Sequence, residues 1–200
     1  MNNTDSAHHV RFLFDPICPW AFQASLWIRE VVKVRPLNIE WGLLSLEFIN
    51  RDVKDDEYLA PLRRIRRTFR LLEQTRLVGG NQALDDLYLA IGEARHERNR
   101  SLTDKKMLEK TLTSAGLPVS LLEETRTNHE IDEQLENAYE QAVALGAFGV
   151  PTLFLNDGQT PFYGPLIEIV PTGEEAGQLW DHISALISLP YFYELKRGRA

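Results

Sequence analysis

The chain has 200 residues, of which 44% are hydrophobic and 26% are charged, and its formal net charge is −7 at pH 7. These proportions are typical of a folded globular protein and exclude a disordered or fibrous one. The negative charge also argues against a dedicated binder of nucleic acid.

The first residues and the cysteine count indicate a cellular compartment. Residues 1–9 are polar and lack the basic and apolar regions of a signal peptide, and no apolar stretch is long enough to span a bilayer. The single cysteine, Cys18, cannot form an internal disulfide, which fits a reducing compartment. The sequence therefore predicts a cytoplasmic protein with no membrane partner.

The amino-terminal part of the chain predicts a strand, a helix and a second strand. Residues 9–15 alternate between two faces, one of them strongly apolar. Residues 22–34 carry apolar side chains at helical spacing, and Arg35-Pro36 ends this helix because a residue before proline avoids helical backbone angles. Residues 37–46 alternate again and predict the second strand. A strand, a helix and a strand within about forty residues are typical of a βαβ unit with parallel strands.

Residues 47–146 carry only helical periodicity. Apolar residues recur at intervals of three and four, for example Leu62, Ile65, Phe69 and Leu72. Gly79-Gly80 interrupts the pattern, and Thr103-Asp104 is a helix start signal. Because a loop of a hundred residues is implausible in a compact protein, we expect an all-helical insertion of about four or five helices.

Strand signals return near the carboxyl end. Residues 151–155 and 160–163 predict two strands, and Asn156-Asp157-Gly158 predicts the hairpin turn between them. Residues 173–189 form an amphipathic helical pattern. The predicted order is therefore βαβ, a helical insertion, and ββα.

The most informative motif is Asp15-Pro16-Ile17-Cys18-Pro19-Trp20-Ala21, which follows the first strand and opens the first helix. A helix N-terminus favours a thiolate over a thiol, so a cysteine at this position is a candidate nucleophile. The usual form of such a motif is Cys-X-X-Cys, but here Ala21 occupies the second position. Most lone cysteines are small buried hydrophobic residues, yet the place of Cys18 at a strand-to-helix turn favours a functional thiol.

The element order, the Cys-Pro turn and Val150-Pro151-Thr152 before the third strand resemble the DsbA-like thioredoxin superfamily. The similarity is closer still to its mycothiol-dependent nitroreductase-type branch, with Cys-Pro-Trp-Ala in place of Cys-Pro-Trp-Cys. The blocks that carry the resemblance are Phe14-Asp15-Pro16-Ile17-Cys18-Pro19-Trp20, Ser25-Leu26-Trp27-Ile28, Gly149-Val150-Pro151-Thr152, Phe162-Tyr163-Gly164-Pro165, Gly173-Glu174-Glu175-Ala176-Gly177, Leu179-Trp180-Asp181 and Tyr191-Phe192-Tyr193-Glu194-Leu195-Lys196-Arg197.

The resemblance implies an α/β protein with a thioredoxin-like fold (βαβ-ββα) and a large all-helical insertion. Residues 1–46 and 147–200 would form the thioredoxin-like domain, and residues 47–146 the inserted helical domain.

The resemblance also implies the site residues. Cys18 would be the catalytic nucleophile, and Pro151 would be a cis-proline packed against it, leaving the backbone at Val150 open to a thiol substrate. His96 and Asn99 lie in the region that faces the cleft in the resembling branch, so they either contact the thiol or belong to the surface. The residues expected to bind the thiol are Pro19, Trp20, Ala21, Val150, Pro151 and His96.

The absence of a second cysteine at Ala21 shapes the expected mechanism. The resemblance implies an enzyme, a DsbA-like thiol oxidoreductase such as a mycothiol-dependent reductase, that works through Cys18 as its single nucleophilic cysteine. A mixed disulfide on Cys18 would have to be cleared by an external thiol, so a low-molecular-weight thiol such as mycothiol is the expected co-substrate, with an electrophilic or disulfide substrate as the other partner. The helix dipole alone would lower the thiol pKa by about one unit from about 8.5, and desolvation by Pro19 and Trp20 would oppose this shift, so we expect a moderately acidic thiol. No metal is expected, since the histidines show no ligand spacing with the cysteine.

Other interpretations remain open from the sequence. The chain could be a thiol S-transferase or isomerase like the kappa-class glutathione transferases and hydroxychromene-carboxylate isomerases. It could also be a redox-inactive relative that binds a ligand or a partner, a reading that Ala21 keeps open. A basic face formed by Arg63, Arg64, Arg66, Arg67 and Arg70 is either solvated or holds an anionic ligand. The oligomeric state is not fixed, and a homodimer is one of the states left open.

Overall fold

The protein is described here from a computed structural model, which covers residues 8–156, 158 and 160–198. Its sheet has four strands in the order β2-β1-β3-β4. The strands are β1 (His8–Phe14), β2 (Leu37–Leu43), β3 (Thr152–Leu155) and β4 (Phe162–Tyr163). β1 pairs parallel with β2 and antiparallel with β3, and β3 pairs antiparallel with β4. The predicted βαβ-ββα order is confirmed.

Two parts of the sequence prediction lie outside the described residues. These are residues 1–7, on which the absence of a signal peptide partly rested, and Asp157 in the predicted hairpin turn. In the rest of that turn, the Gly158 N–H donates to the Leu155 carbonyl at 2.8 Å.

Two helices lie outside the stretch between β2 and β3. Helix α1 (Pro19–Val32) connects β1 to β2, and α8 (Gly173–Ile187) follows β4. The two helices pack together through buried tryptophans, because the Trp27 Nε1–H donates to the Ala176 carbonyl at 3.2 Å and the rings of Trp27 and Trp180 lie 6.2 Å apart.

The stretch between β2 and β3 is helical, as predicted, but it has six α-helices and a π-helical turn instead of the expected four or five helices. It contains α2 (Leu46–Ile49), α3 (Asp56–Arg64), α4 (Arg66–Gly92), a π-helical turn (Glu93–Glu97), α5 (Lys105–Ser114), α6 (Leu121–Thr127) and α7 (Glu130–Ala144). Buried apolar residues of these helices and of the sheet belong to one hydrophobic cluster. The exact division into two domains therefore stays a prediction.

Two of the differences from the predicted element boundaries have a cause that the structure shows. The second strand ends at Leu43 instead of residue 46, because the Ser45 hydroxyl caps α2 by accepting a hydrogen bond from the Phe48 N–H at 3.4 Å. The helix predicted through residues 62–72 breaks at Ile65, whose backbone angles are φ −88° and ψ 4°. The interruption predicted at Gly79-Gly80 is present, since Gly80 has φ 72° and ψ −162°, a conformation that glycine adopts without steric cost.

The residue after this kink attaches α4 to the outer edge of the sheet. The side-chain amide of Asn81 accepts a hydrogen bond from the Trp41 N–H and donates one to the Ile39 carbonyl, both at 2.8 Å. Asn81 therefore supplies edge strand β2 with two of the hydrogen bonds that a neighbouring strand would make.

A buried carboxylate links the end of β1 to the start of the helical stretch. Asp15 is 1% exposed, and its two oxygens accept hydrogen bonds from the Ile17 N–H at 3.0 Å and the Leu46 N–H at 2.8 Å. Burial raises the pKa of Asp15 to about 6, although the two backbone hydrogen bonds oppose this shift. Asp15 thus fixes the loop before α1 against the first residue of α2.

Gly92, at the end of α4, lies directly against a ring from α1. A Cβ atom at this position would come within 2.1 Å of the Phe22 ring, and Phe22 is only 1% exposed. The close approach of the two helices requires a residue without a side chain at position 92.

We expect Gly92→Ala to destabilise the fold by about 1–3 kcal/mol, because the buried Phe22 ring has little room to move away from the added methyl group. Urea denaturation monitored by circular dichroism measures the change. Gly198→Ala is the matched control, since a Cβ atom there meets nothing within 4 Å. Equal stabilities of the two variants would contradict the packing argument.

The Asp15 carboxyl predicts a pH dependence of stability. Its pKa of about 6 in the folded protein is higher than the usual value for aspartate, so the folded state binds the proton more tightly than the unfolded state does. Its contribution to stability is therefore complete at low pH and is lost as the pH rises through about 6. Relative to Asp15→Asn, wild type should gain about 2–3 kcal/mol of unfolding free energy between pH 7 and pH 4.

The measurement is urea denaturation of both proteins at a series of pH values. Taking the difference between them removes the titration of the other carboxyl groups. A difference that is independent of pH, or that favours wild type more at pH 7, would disprove the assignment.

Candidate active site

Cys18 occupies the N-cap of α1, with the extended backbone angles φ −79° and ψ 114°. Its Sγ accepts a hydrogen bond from the Ala21 N–H at 3.4 Å, and its S–H donates to the Val150 carbonyl at 3.6 Å. The Cys18 N–H donates to the Asp15 carbonyl at 3.0 Å. The predicted helix start at the cysteine is confirmed, and the sulfur itself acts as the cap.

The environment of the thiol differs from the expectation. Cys18 is 9% exposed, and burial raises the pKa of its thiol above the usual value. The N–H groups of Ala21 and Trp20 act in the opposite direction, and the negative charge of Asp15 adds to the increase. The expectation of a moderately acidic thiol was wrong, because the cost of desolvating a thiolate exceeds what the helix N-terminus contributes here.

The Val150–Pro151 peptide bond is cis, and its loop lies against the cysteine. The Thr152 hydroxyl donates to the Gly149 carbonyl at 2.7 Å, and the Gly164 N–H donates to the Pro151 carbonyl at 2.8 Å. Val150 is 3% exposed, and its carbonyl accepts the thiol hydrogen. The backbone that was expected to be open to a substrate is therefore covered in this structure.

The residues that follow Cys18 differ in their accessibility. Pro19 is exposed at the first position of the helix, and Trp20 is half-buried and packs against the core. Ala21 is fully buried. A dithiol motif would carry its second cysteine at position 21. Here that position has only the methyl side chain of Ala21, whose N–H contacts the Cys18 sulfur.

His96 lies in the π-helical turn, and its side chain contacts the backbone of the loop that carries Cys18. Its Nε2 is 3.0 Å from the Pro16 carbonyl, and its ring stacks on Phe22 with centroids 5.1 Å apart. Burial lowers the pKa of His96, so the ring is neutral near pH 7 and the Nε2–H donates to Pro16. His96 therefore supports the loop that carries Cys18. The sequence had left open a contact with the thiol substrate or a position on the surface, and the contact with Pro16 is neither of these.

The strand pattern of residues 9–15 gives Asp15 no role in the site, although an aspartate that accepts from the N–H two residues ahead is a common turn signal. Its second partner, Leu46, lies 31 residues away, and the sequence contains no local signal for that contact.

The basic face of α3 and α4 is largely paired within the protein. Arg63 pairs with Asp56, Arg66 with Glu47, and Arg70 with Asp132, while Arg64 and Arg67 are exposed to solvent. These pairs favour a structural or solvated face over a site for an anionic ligand.

Among residues 8–156, 158 and 160–198, no group of three or more His, Cys, Asp or Glu side chains is arranged to hold a metal ion. Within those same ranges, the helices are too short or too polar to cross a bilayer.

Comparison with known proteins adds sequence and structural relatives. A family model described as "Rv2466c-like: Mycothiol-dependent nitroreductase Rv2466c" matches residues 17–197. The uncharacterized protein Rv2286c of Mycobacterium tuberculosis (strain ATCC 25618 / H37Rv) is 34% identical over 198 residues, which cover 96% of this chain and 82% of that protein.

Two solved structures are similar in fold. A 2-hydroxychromene-2-carboxylate isomerase has a TM-score of 0.63 at 18% identity, and the match covers 88% of this chain and 93% of that chain. Pseudomonas aeruginosa DsbA has a TM-score of 0.55 at 20% identity, covering 90% of this chain and 83% of that chain. At these identities the similarity concerns the fold, which is the predicted thioredoxin-like fold with a helical insertion.

The family model spans most of the chain, and the fold is that of the DsbA-like proteins. The chain therefore belongs to the Rv2466c-like family, whose model is described by the mycothiol-dependent nitroreductase Rv2466c, and the predictions of a thiol-dependent oxidoreductase and of a DsbA-like thioredoxin fold are confirmed.

Proposed function

We propose that the protein is a monothiol reductase in which Cys18 exchanges disulfides with a small cellular thiol, mycothiol in the first place. The observation that carries this proposal is the position of Cys18 at the N-cap of α1, 3.6 Å from the Val150 carbonyl and next to the cis Val150–Pro151 bond. The family description supports mycothiol as the thiol.

The proposed cycle has two exchange steps. The Cys18 thiolate attacks one sulfur of a disulfide, the S–S bond breaks, and the other sulfur leaves as a thiolate with the electron pair. A second small thiol, as its thiolate, then attacks the mixed disulfide and releases Cys18. In sum, one external thiol enters a new disulfide with the sulfur that Cys18 had bound, the other sulfur of the substrate is released as a thiol, and Cys18 returns unchanged.

Ala21 makes the external thiol necessary for the second step. Cys18 is the single cysteine of the chain, so no internal sulfur can displace the bound thiol. The cycle also requires a reducing compartment, which supports the expected cytoplasmic location.

The burial of Cys18 determines how the first step begins. Before the sulfur can attack, the S–H must leave the Val150 carbonyl and lose its proton, in surroundings that raise its pKa. We infer that the resting protein holds a protected thiol and that binding of the small thiol or its disulfide exposes it.

The central prediction concerns a covalent adduct. Incubation with oxidised mycothiol, or with oxidised glutathione as a second probe, should increase the intact mass by one thiol, and the reduced thiol should remove it. Cys18→Ser should form no adduct while keeping its circular dichroism spectrum. A wild-type protein that never forms an adduct would refute the monothiol cycle.

Other outcomes of that experiment identify the alternatives. A tight noncovalent complex without an adduct would favour the transferase or isomerase interpretation, and no binding at all would favour a redox-inactive relative. Ala21→Cys is a matched gain-of-function variant, because a cysteine three residues after Cys18 can displace the bound thiol from within. In this variant the adduct should disappear without any added thiol, because the new cysteine forms an internal disulfide with Cys18. The mass of the final protein should then be lower by two hydrogens than that of the reduced variant.

The raised pKa of Cys18 predicts slow alkylation near neutral pH. The rate of reaction with iodoacetamide should rise with an inflection above about 8.5, the usual thiol value. The same protein unfolded in guanidinium chloride is the control, and its inflection should return to that usual value. An inflection in the folded protein below the unfolded one would show that the helix N-terminus outweighs burial.

A further inference from the structure

Two large aromatic side chains are exposed next to the loop that contacts Cys18. Phe148 is 67% exposed and Tyr163 is 40% exposed, and their rings pack on each other with centroids 5.1 Å apart and planes inclined by 32°. Single exposed apolar residues are normal on protein surfaces, but a packed aromatic pair in water is an available contact surface. We call Phe148 and Tyr163 the aromatic pair.

The aromatic pair flanks the Val150–Pro151 bond from two elements. Phe148 precedes Val150 by two residues, so their Cα atoms are at most about 7 Å apart. Tyr163 lies on β4 opposite Thr152, the residue after Pro151. The Val150 carbonyl is itself 3.6 Å from the Cys18 sulfur, which places both rings around the same end of the sheet as the thiol.

The local backbone holds the pair in place. A Cβ atom at Gly149 would come within 2.9 Å of the Tyr163 ring, so the absence of a side chain there lets the ring lie on the loop. The hydrogen bonds from Thr152 to Gly149 and from Gly164 to Pro151 fix the two segments against each other. The rings are therefore positioned before any ligand arrives, which lowers the entropic cost of binding.

We propose that the aromatic pair receives the planar ring of an aromatic disulfide while one sulfur of that disulfide meets Cys18. This inference rests on the proposed function and names a substrate class for it. Offset or edge-to-face stacking on exposed rings suits a flat aromatic group. β4 has only two residues, so it offers little backbone for an extended peptide, and the rings are the larger contact surface.

The reaction that the pair would favour is a disulfide exchange. The Cys18 thiolate, whose proton has passed to solvent, attacks one sulfur of an aryl disulfide. The S–S bond breaks, an aryl thiolate leaves with the electron pair, and Cys18 carries the other aryl sulfide as a mixed disulfide.

The test compares two small disulfides on the complete protein. Dipyridyl disulfide carries planar rings, and hydroxyethyl disulfide carries none. Their intrinsic reactivities differ, so the quantity to compare is the ratio of variant to wild-type rate constants for each probe. We expect Phe148→Ala to slow the reaction with dipyridyl disulfide by about threefold to tenfold. The reaction with hydroxyethyl disulfide should stay within about twofold of the wild-type rate.

Two variants separate the ring from other effects. Phe148→Leu keeps an apolar side chain without a ring, and it should slow the reaction with dipyridyl disulfide nearly as much as Phe148→Ala does. Tyr193→Ala removes an aromatic side chain that is 86% exposed in the carboxyl-terminal segment, and it should change neither rate.

The other possible results of the rate comparison contradict the aromatic site. Equal slowing of both probes, or no slowing of either, would overturn the aromatic site while leaving the exchange chemistry of Cys18 in place. A peptide disulfide serves as a third probe, and if Phe148→Ala slows its reaction selectively instead of that of dipyridyl disulfide, the pair serves protein substrates and the inference is wrong. If wild type reacts with neither probe, the proposed function fails and this inference fails with it.

Discussion

The hydrogen bonds to the buried Asp15 carboxylate are the interaction on which the arrangement of the site depends. One oxygen accepts from Ile17 in the cysteine loop, and the other accepts from Leu46 at the start of the helical stretch. A buried carboxylate that loses a partner is costly, so both segments must keep their positions. His96 adds a second link from the helical stretch to the same loop through the Pro16 carbonyl. The loop that carries Cys18 is thus held by two groups of the helical stretch, the Leu46 N–H and the His96 ring.

The surroundings that hold the loop also determine the state of the thiol. The helix N-terminus offers the sulfur an N–H from Ala21, which favours the thiolate. Burial and the neighbouring Asp15 charge oppose it more strongly, and the S–H finds an acceptor in the Val150 carbonyl. The result is a sulfur placed as a nucleophile would be but kept protonated in the resting structure. Activity in the proposed cycle then depends on what uncovers the sulfur.

Ala21 and the aromatic pair affect two different steps of the same proposed reaction. Ala21 removes the internal route for clearing a mixed disulfide, so the thiol that completes the cycle comes from solution. In the inferred substrate site, Phe148 and Tyr163, which flank the Val150–Pro151 bond, offer a surface for the group that leaves or stays on Cys18. Family membership supports the thiol chemistry, whereas the selectivity for a ring is argued only from this chain's own exposed residues.

The sequence alone determined the elements and the place of the thiol, since alternation, helical spacing and prolines act between near neighbours. The parallel βαβ unit, the helical stretch and the helix start at Cys18 all follow from such local patterns. The tertiary structure alone decided the burial of Cys18, the partners of Asp15 and the contact of His96. Val150 lies 132 residues from Cys18 along the chain. Desolvation depends on such distant groups, and for this reason the direction of the thiol pKa shift could not be predicted from the motif.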